Sequence, residues 1–241
     1  MSEETWHSVW ERKGARAAAQ ESYSEDDLFA ANGYDTPLGI ISARGRRQMA
    51  RKVVEALQAR PGRSLLDVGC GSGAMLSLLR ETGARLAGVD FSTTLVEIAR
   101  RSLPDVEILT AEAAKLPFPT GQFDAALSNG VFLYFTDFQY AAAALEEMLR
   151  VCGSAGRLFI GDVPDLGKKE SCIAARRSAG ASLSPAHLYY PQRFFEEFAA
   201  GHALRATFAD QDIPDYANTS YRFNVVLEPV LPQPKCGRGV E

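Results

Sequence analysis

The segment Leu65-Leu66-Asp67-Val68-Gly69-Cys70-Gly71-Ser72-Gly73 constrains the fold more than any other stretch of the chain. An apolar run that reads as a buried parallel strand ends on an acid. It then breaks into three glycines at alternate positions. Ala74 to Arg80 follows with the amphipathic pattern of a helix. Strand, glycine loop and helix in that order let a ligand lie against bare backbone at a helix N-terminus. A second strand, Arg85 to Val89, ends on Asp90. That carboxylate falls about twenty residues after the first glycine, where it can accept two hydrogen bonds from a ribose diol. The pattern predicts an α/β chain built to hold a nucleoside.

The glycine loop alone does not choose the nucleoside. Gly69-x-Gly71-x-x-Ala74 also satisfies the looser dinucleotide fingerprint, so a nicotinamide-dependent oxidoreductase is one reading. Three further features point elsewhere. Asp67 precedes the first glycine by two residues, where it can organise the loop and reach an ammonium group. Glu112-Ala113-Ala114-Lys115-Leu116-Pro117-Phe118 follows a third strand near Val106 to Leu109. Phe123 to Ser128 reads as a fourth strand running into the polar loop Asn129-Gly130.

In that order these segments resemble the class I S-adenosylmethionine-dependent methyltransferases, small-molecule branch, closely from Leu65 to Pro164 and loosely elsewhere. The resemblance implies S-adenosylmethionine as cofactor. It implies that Asp67, Gly69 and Gly71 hold the methionine end and that Asp90 binds the ribose hydroxyls. Phe91 would pack on the adenine, and Glu112 with the backbone of Ala113 would face its amino edge. Asn129 would lie near the sulfonium. Two positions depart from the family pattern. Glu112 stands where aspartate is commoner, and Cys152-Gly153-Ser154-Ala155-Gly156 replaces a Pro-Gly-Gly turn.

Strands and helices alternate from Ser64 to Asp162, which predicts a parallel sheet with right-handed crossovers. Ala203 to Ala209 and Tyr221 to Glu228 read as two final strands forming an antiparallel pair. The expected fold is a Rossmann-like, mostly parallel seven-stranded sheet with an antiparallel last strand and an N-terminal helical cap. The expected organisation is a cap over 1–60, a methyltransferase core over 61–231 with a lid insertion at about 163–190, and a disordered tail over 232–241. The lid is read as irregular, because its pattern lapses between Val163 and Pro191.

Composition narrows the partners. The 241 residues suit one substantial domain, and 46% hydrophobic content can fill a core. A formal net charge of -4 speaks against a nucleic-acid partner. No apolar run approaches the roughly 20 residues of a membrane span, and the acidic start lacks the order of a signal peptide. Cys70, Cys152, Cys172 and Cys236 have no metal-type spacing. They fit reduced thiols in a cytoplasmic protein, and no metal site is expected.

The expected activity is methyl transfer to a small-molecule acceptor, at an oxygen nucleophile, by in-line displacement. The protein positions the acceptor and a general base takes its proton. His187, beside Tyr189 and Tyr190, is one candidate catalytic residue. Tyr134, after the fourth strand, is the other. Alternatives are methylation at nitrogen, and a non-catalytic S-adenosylmethionine-binding regulatory module. Trp6 and Trp10 read equally as an aromatic wall or as ordinary docking of the cap. The basic run Arg44, Arg46, Arg47, Arg51 and Lys52 reads mainly as a solvated face. Tyr221 and Arg222 either edge the pocket or close the sheet.

Overall fold

Seven strands form one sheet: β1 (Ser64–Val68), β2 (Arg85–Asp90), β3 (Glu107–Thr110), β4 (Ala125–Asn129), β5 (Arg157–Pro164), β6 (Leu204–Asp210) and β7 (Arg222–Pro229). The computed structural model describes residues 5–230. The strand order is β3-β2-β1-β4-β5-β7-β6. The first five strands pair in parallel, and β7 inserts antiparallel between β5 and β6. This is the Rossmann-like mixed sheet expected from the sequence. The expected tail lies outside the described residues.

The central strands are apolar throughout because both sheet faces are covered. All five residues of β1 are buried. Leu65 joins the core on one face and Leu66 the core on the other, as the period of two requires. Helices α1 (Trp6–Ala17), α2 (Glu25–Phe29), α3 (Ala43–Leu57), α4 (Ala74–Leu79) and α5 (Thr93–Ser102) contribute buried residues to the first face. Helices α6 (Phe138–Cys152) and α8 (Gln192–Gly201) cover the second. Between them lies α7 (Lys169–Ser178).

The α7 helix corrects the expected irregular lid. Its sequence, KESCIAARRS, buries only Cys172, so it shows no apolar stripe to read. Alanine, glutamate, lysine and arginine favour helix all the same. A 3-10 turn, Leu166–Lys168, leads into it, and the isolated bridge between Asp165 and Tyr190 closes the stretch.

Local capping sets where the N-terminal helices begin. Thr5, Ser24 and Ser42 each accept a hydrogen bond from the third residue onward. The π-helical segment Ala30–Tyr34 follows α2, and Gly33 turns the chain there at φ 92°. Helix α1 then docks against α5, from Thr93 to Arg101. Glu11 Oε1 accepts from the Thr93 amide at 2.7 Å, placing a negative charge at the α5 N-terminus. Thr94 Oγ1 donates to the Glu11 carbonyl at 3.2 Å. The approach is close at Gly14, where a β-carbon would stand 2.1 Å from Thr94 Oγ1. No helix among the described residues is long and apolar enough to cross a membrane.

This docking predicts that Gly14→Val detaches α1 while the sheet stays folded. Overpacking of this kind costs about 1–3 kcal/mol. Hydrogen exchange should show lost amide protection in residues 6–17 and unchanged protection in β1 and β4. Unchanged protection in α1 would show that the helix does not rest on Thr94.

Candidate active site

The carboxyl ends of β1, β2 and β4 converge under α1, where open parallel sheets bind their ligands. A cavity of about 440 Å³ opens there, within the range of small-molecule and cofactor sites. Asp67, Gly69, Gly71, Asp90, Phe91, Glu112, Ala113 and Asn129 all line it, as does Tyr134. The structure therefore brings together every residue expected to face the cofactor.

The glycine loop is fixed from three sides. From β2, the Val89 carbonyl accepts from the amides of Gly69 at 2.7 Å and Cys70 at 2.9 Å. Asp90 Oδ2 accepts from the Gly71 amide at 2.8 Å, and its Oδ1 accepts from Ser92 N at 2.8 Å. From the N-terminal segment, Asn32 Oδ1 accepts from Ser72 N at 2.7 Å, and its Nδ2 donates to the Cys70 carbonyl at 3.2 Å. Gly69 and Gly71 have φ 82° and 55°, which favours glycine. A β-carbon on Gly69 would meet Val131 Cγ2 at 2.4 Å, and one on Gly71 would meet Asn32 Oδ1 at 2.3 Å. The loop is bare because protein presses on it from the cap and from the β4 loop, leaving its backbone to the cavity.

Asn32 and Val131 were not singled out by the sequence. Asn32 sits in a turn-like Asn-Gly pair whose partner lies forty residues on, a relation no local pattern carries.

The cavity is electrostatically lopsided. Among the described residues its lining includes Asp67, Asp90 and Glu112 but no lysine or arginine. Asp67 is 2% exposed, and burial together with the neighbouring Asp90 charge raises its pKa to about 8. Burial raises Asp90 to about 6, against the pull of its two backbone hydrogen bonds. Glu112 Oε2 accepts from the Tyr140 hydroxyl at 2.6 Å. Phe91 lies against His7 with ring centroids 5.0 Å apart. Asn129 Nδ2 donates to the Tyr34 hydroxyl at 3.3 Å, while its buried Oδ1 has no partner.

The two candidate catalytic residues sit at a boundary. Tyr134 lines the first cavity and a second one of about 460 Å³ behind it, whereas His187 lines only the second. Trp6 packs on both, at 4.6 Å from Tyr134 and 5.1 Å from His187, between ring centroids. The Trp6 indole also donates to the Ala186 carbonyl at 3.0 Å. The N-terminal helix and the 163–190 segment thus meet over the two cavities. Burial, with Arg222 and Arg176 nearby, holds His187 well below its ordinary pKa, so it is neutral at pH 7. Burial pushes Tyr134 up to about 12.

Several other side chains have structural roles. Arg46 pairs with Glu25 and Asp26 and lies over the Phe29 ring. Lys52 donates to the carbonyls of Asp210 and Gln211. His202 stacks on Phe198 at the end of α8. Cys70, Cys152 and Cys172 are free and buried. Among the described residues, no group of three or more His, Cys, Asp or Glu is arranged to hold a metal ion.

Similarity to known proteins bears on this site. A family described as a methyltransferase domain matches residues 66–160. The demethylmenaquinone methyltransferase of Beutenbergia cavernae is 36% identical over 138 residues, covering 57% of this chain and 55% of the relative. The chain spans about half the length of the first curated relatives it matches. A demethylmenaquinone methyltransferase of Thermus thermophilus is 32% identical over 192 residues, covering 73% of this chain and 86% of the relative. The solved magnesium protoporphyrin IX methyltransferase of Synechocystis PCC 6803, with bound S-adenosylmethionine, shares the fold. It has a TM-score of 0.60 at 15% identity and covers 93% of each chain.

Two outcomes follow from the buried acids. Their folded pKa values, about 8 and about 6, lie above the ordinary carboxylate value near 4. The folded protein therefore keeps protons that the unfolded chain releases, and this stability is lost as pH rises through those values. Denaturant midpoints of the cofactor-free protein should fall between pH 6 and 8, and Asp67→Asn should flatten that slope. An unaltered slope in the variant would remove Asp67 as its source. Asp90→Ala should weaken ligand binding and also destabilise the fold by about 2–4 kcal/mol, because two buried amides lose their acceptor. Calorimetry with chemical denaturation separates the two effects; a variant of full stability would show that Asp90 does not hold the loop.

Proposed function

The chain belongs to the class I S-adenosylmethionine-dependent methyltransferases, and from that premise we propose that it transfers the cofactor's methyl group to an oxygen of a small-molecule acceptor. The observation that supports the methyl-transfer part of this reading is the convergence of eight expected residues on one cavity whose buried acids have, among the described residues, no lysine or arginine beside them. A ligand carrying an ammonium and a sulfonium suits that charge. Asp67 would take the ammonium, and the loop at Gly69 and Gly71 the methionine backbone. Asp90 retains lone pairs for the two ribose hydroxyls, because each oxygen accepts only one backbone amide. Phe91 would pack on the adenine, with Glu112 and Ala113 at its amino edge and Asn129 toward the sulfur.

Bound there, S-adenosylmethionine supplies an already activated methyl group. What remains for the protein is to aim the acceptor and exclude water. The second cavity, behind Tyr134, is the acceptor's place in this reading. Neutral His187 has a buried Nδ1 without a partner, suited to accept a hydrogen bond from an acceptor hydroxyl and then its proton. Protonated Tyr134 stands between the two cavities as a hydrogen-bond donor. The N-terminal helices and the 163–190 segment, joined by Trp6 and Ala186, form the lid of this reading.

Calorimetry should give micromolar affinity for S-adenosylmethionine and S-adenosylhomocysteine, roughly -8 kcal/mol. Absence of both heat and thermal shift would refute the cofactor assignment. Incubation with cofactor labelled in its methyl carbon, on a panel of phenols, acids and amines, should give a product whose carbon NMR signal is that of a methyl on oxygen. A methyl on nitrogen would replace the oxygen reading, and tight binding with no transfer would favour a regulatory module.

A further inference from the structure

The two adjoining cavities carry opposite charge. Lys13, Arg176 and Arg222 line the second, where Asp162 is the single acid among the described residues. Lys13 pairs with Asp35. This concentration of positive charge stands in a chain whose formal net charge is -4.

Arg222 is the exceptional member. It opens β7 opposite Pro164 of β5 and is 2% exposed. Its Nε and Nη1 are buried and have no hydrogen-bond partner among the described residues. The nearest carboxylate, Asp162, is 3.9 Å from Nε, beyond hydrogen-bond reach. Nor is that carboxylate waiting for the guanidinium. Asp162 Oδ2 accepts from the Tyr216 hydroxyl at 2.8 Å and Oδ1 accepts from Gln211 Nε2 at 3.2 Å. The backbone turns this acid aside: Asp162 sits at a register shift in β5, at φ 56°.

A structural role would have Arg222 bonded to Asp162. Instead a buried guanidinium keeps unmade N–H bonds beside a cavity, an arrangement that a fold retains at a cost. A planar fork of donors matches a carboxylate or a similar anion. Resting on the reading of this cavity as the acceptor's place, we infer that the acceptor carries an anionic oxygen group, a carboxylate or an acidic phenolate or enolate, and that Arg222 anchors it. Arg176, on α7, adds positive charge to the same cavity. Trp6, Trp10 and Tyr134 then enclose an aromatic or otherwise flat acceptor body between that anchor and the glycine loop. A cationic ligand on one side and an anionic one on the other compensate buried charges that neither cavity compensates alone.

Trp6 and Trp10 are the only tryptophans of the chain, so intrinsic fluorescence reports on this cavity. The probes are benzoate, salicylate and phenylacetate, each beside its neutral amide, titrated with and without saturating S-adenosylhomocysteine. The acids should bind at least tenfold more tightly than their amides. Arg222→Met should abolish that preference while S-adenosylhomocysteine affinity stays within about twofold, and Arg222→Lys should keep part of it. Equal binding of acids and amides by the unaltered protein overturns the inference, whatever the variants do. So does a preference that survives intact in a folded Arg222→Met. An acid preference in a protein that fails to bind S-adenosylhomocysteine would keep the anion site and refute the methyl-transfer reading.

Discussion

The carboxylate of Asp90 spans two backbone amides, one in the glycine loop at Gly71 and one at Ser92 before α5. Through it, the end of β2 fixes both the loop that follows β1 and the start of the neighbouring helix. The Val89 carbonyl adds the amides of Gly69 and Cys70 to the same strand end. With the loop held, Asn32 and Val131 can press on its glycines, and the remaining backbone surface is left to a ligand. The floor of the cavity is therefore a consequence of strand pairing, while α1 and the Pro185–Ala186 loop wall it above.

That construction leaves acids buried. Asp67 and Asp90 are each under 10% exposed, and both hold their protons to higher pH than an exposed acid does. Behind Tyr134 the imbalance is reversed, with Arg222 deeply buried and short of partners. Each cavity stores unfavourable electrostatics that a ligand of opposite sign relieves. Binding energy gained this way depends on position and charge together, which is what aiming two reactants at one another demands.

Much of this was legible in the sequence because it is encoded locally. An acid at the end of an apolar strand, followed by glycines at alternate positions, specifies its own geometry, and Asp67, Gly69, Gly71 and Asp90 fall where that pattern puts them. What escaped is what depends on distant partners. The α7 helix buries one side chain and shows no stripe. Asn32 matters only because the chain returns it to the Cys70–Ser72 loop. Arg222 was readable as a sheet residue or a pocket residue, and only the register of β7 against the bulged β5 decides between them. Asp162 ends an apolar strand just as Asp67 and Asp90 do, a signal that was available and went unused.

The central claim is that the first cavity holds buried acids that a cationic ligand ionises, and carbon-13 NMR titration of the aspartate carboxyls tests it most directly. Asp67 is identified by its absence from the spectrum of Asp67→Asn. Without ligand it should titrate at about 8. Saturation with S-adenosylhomocysteine, whose ammonium would sit against it, should return it toward the ordinary carboxylate range near 4. A midpoint near 4 in the ligand-free protein, or one that S-adenosylhomocysteine leaves unmoved, would contradict the account.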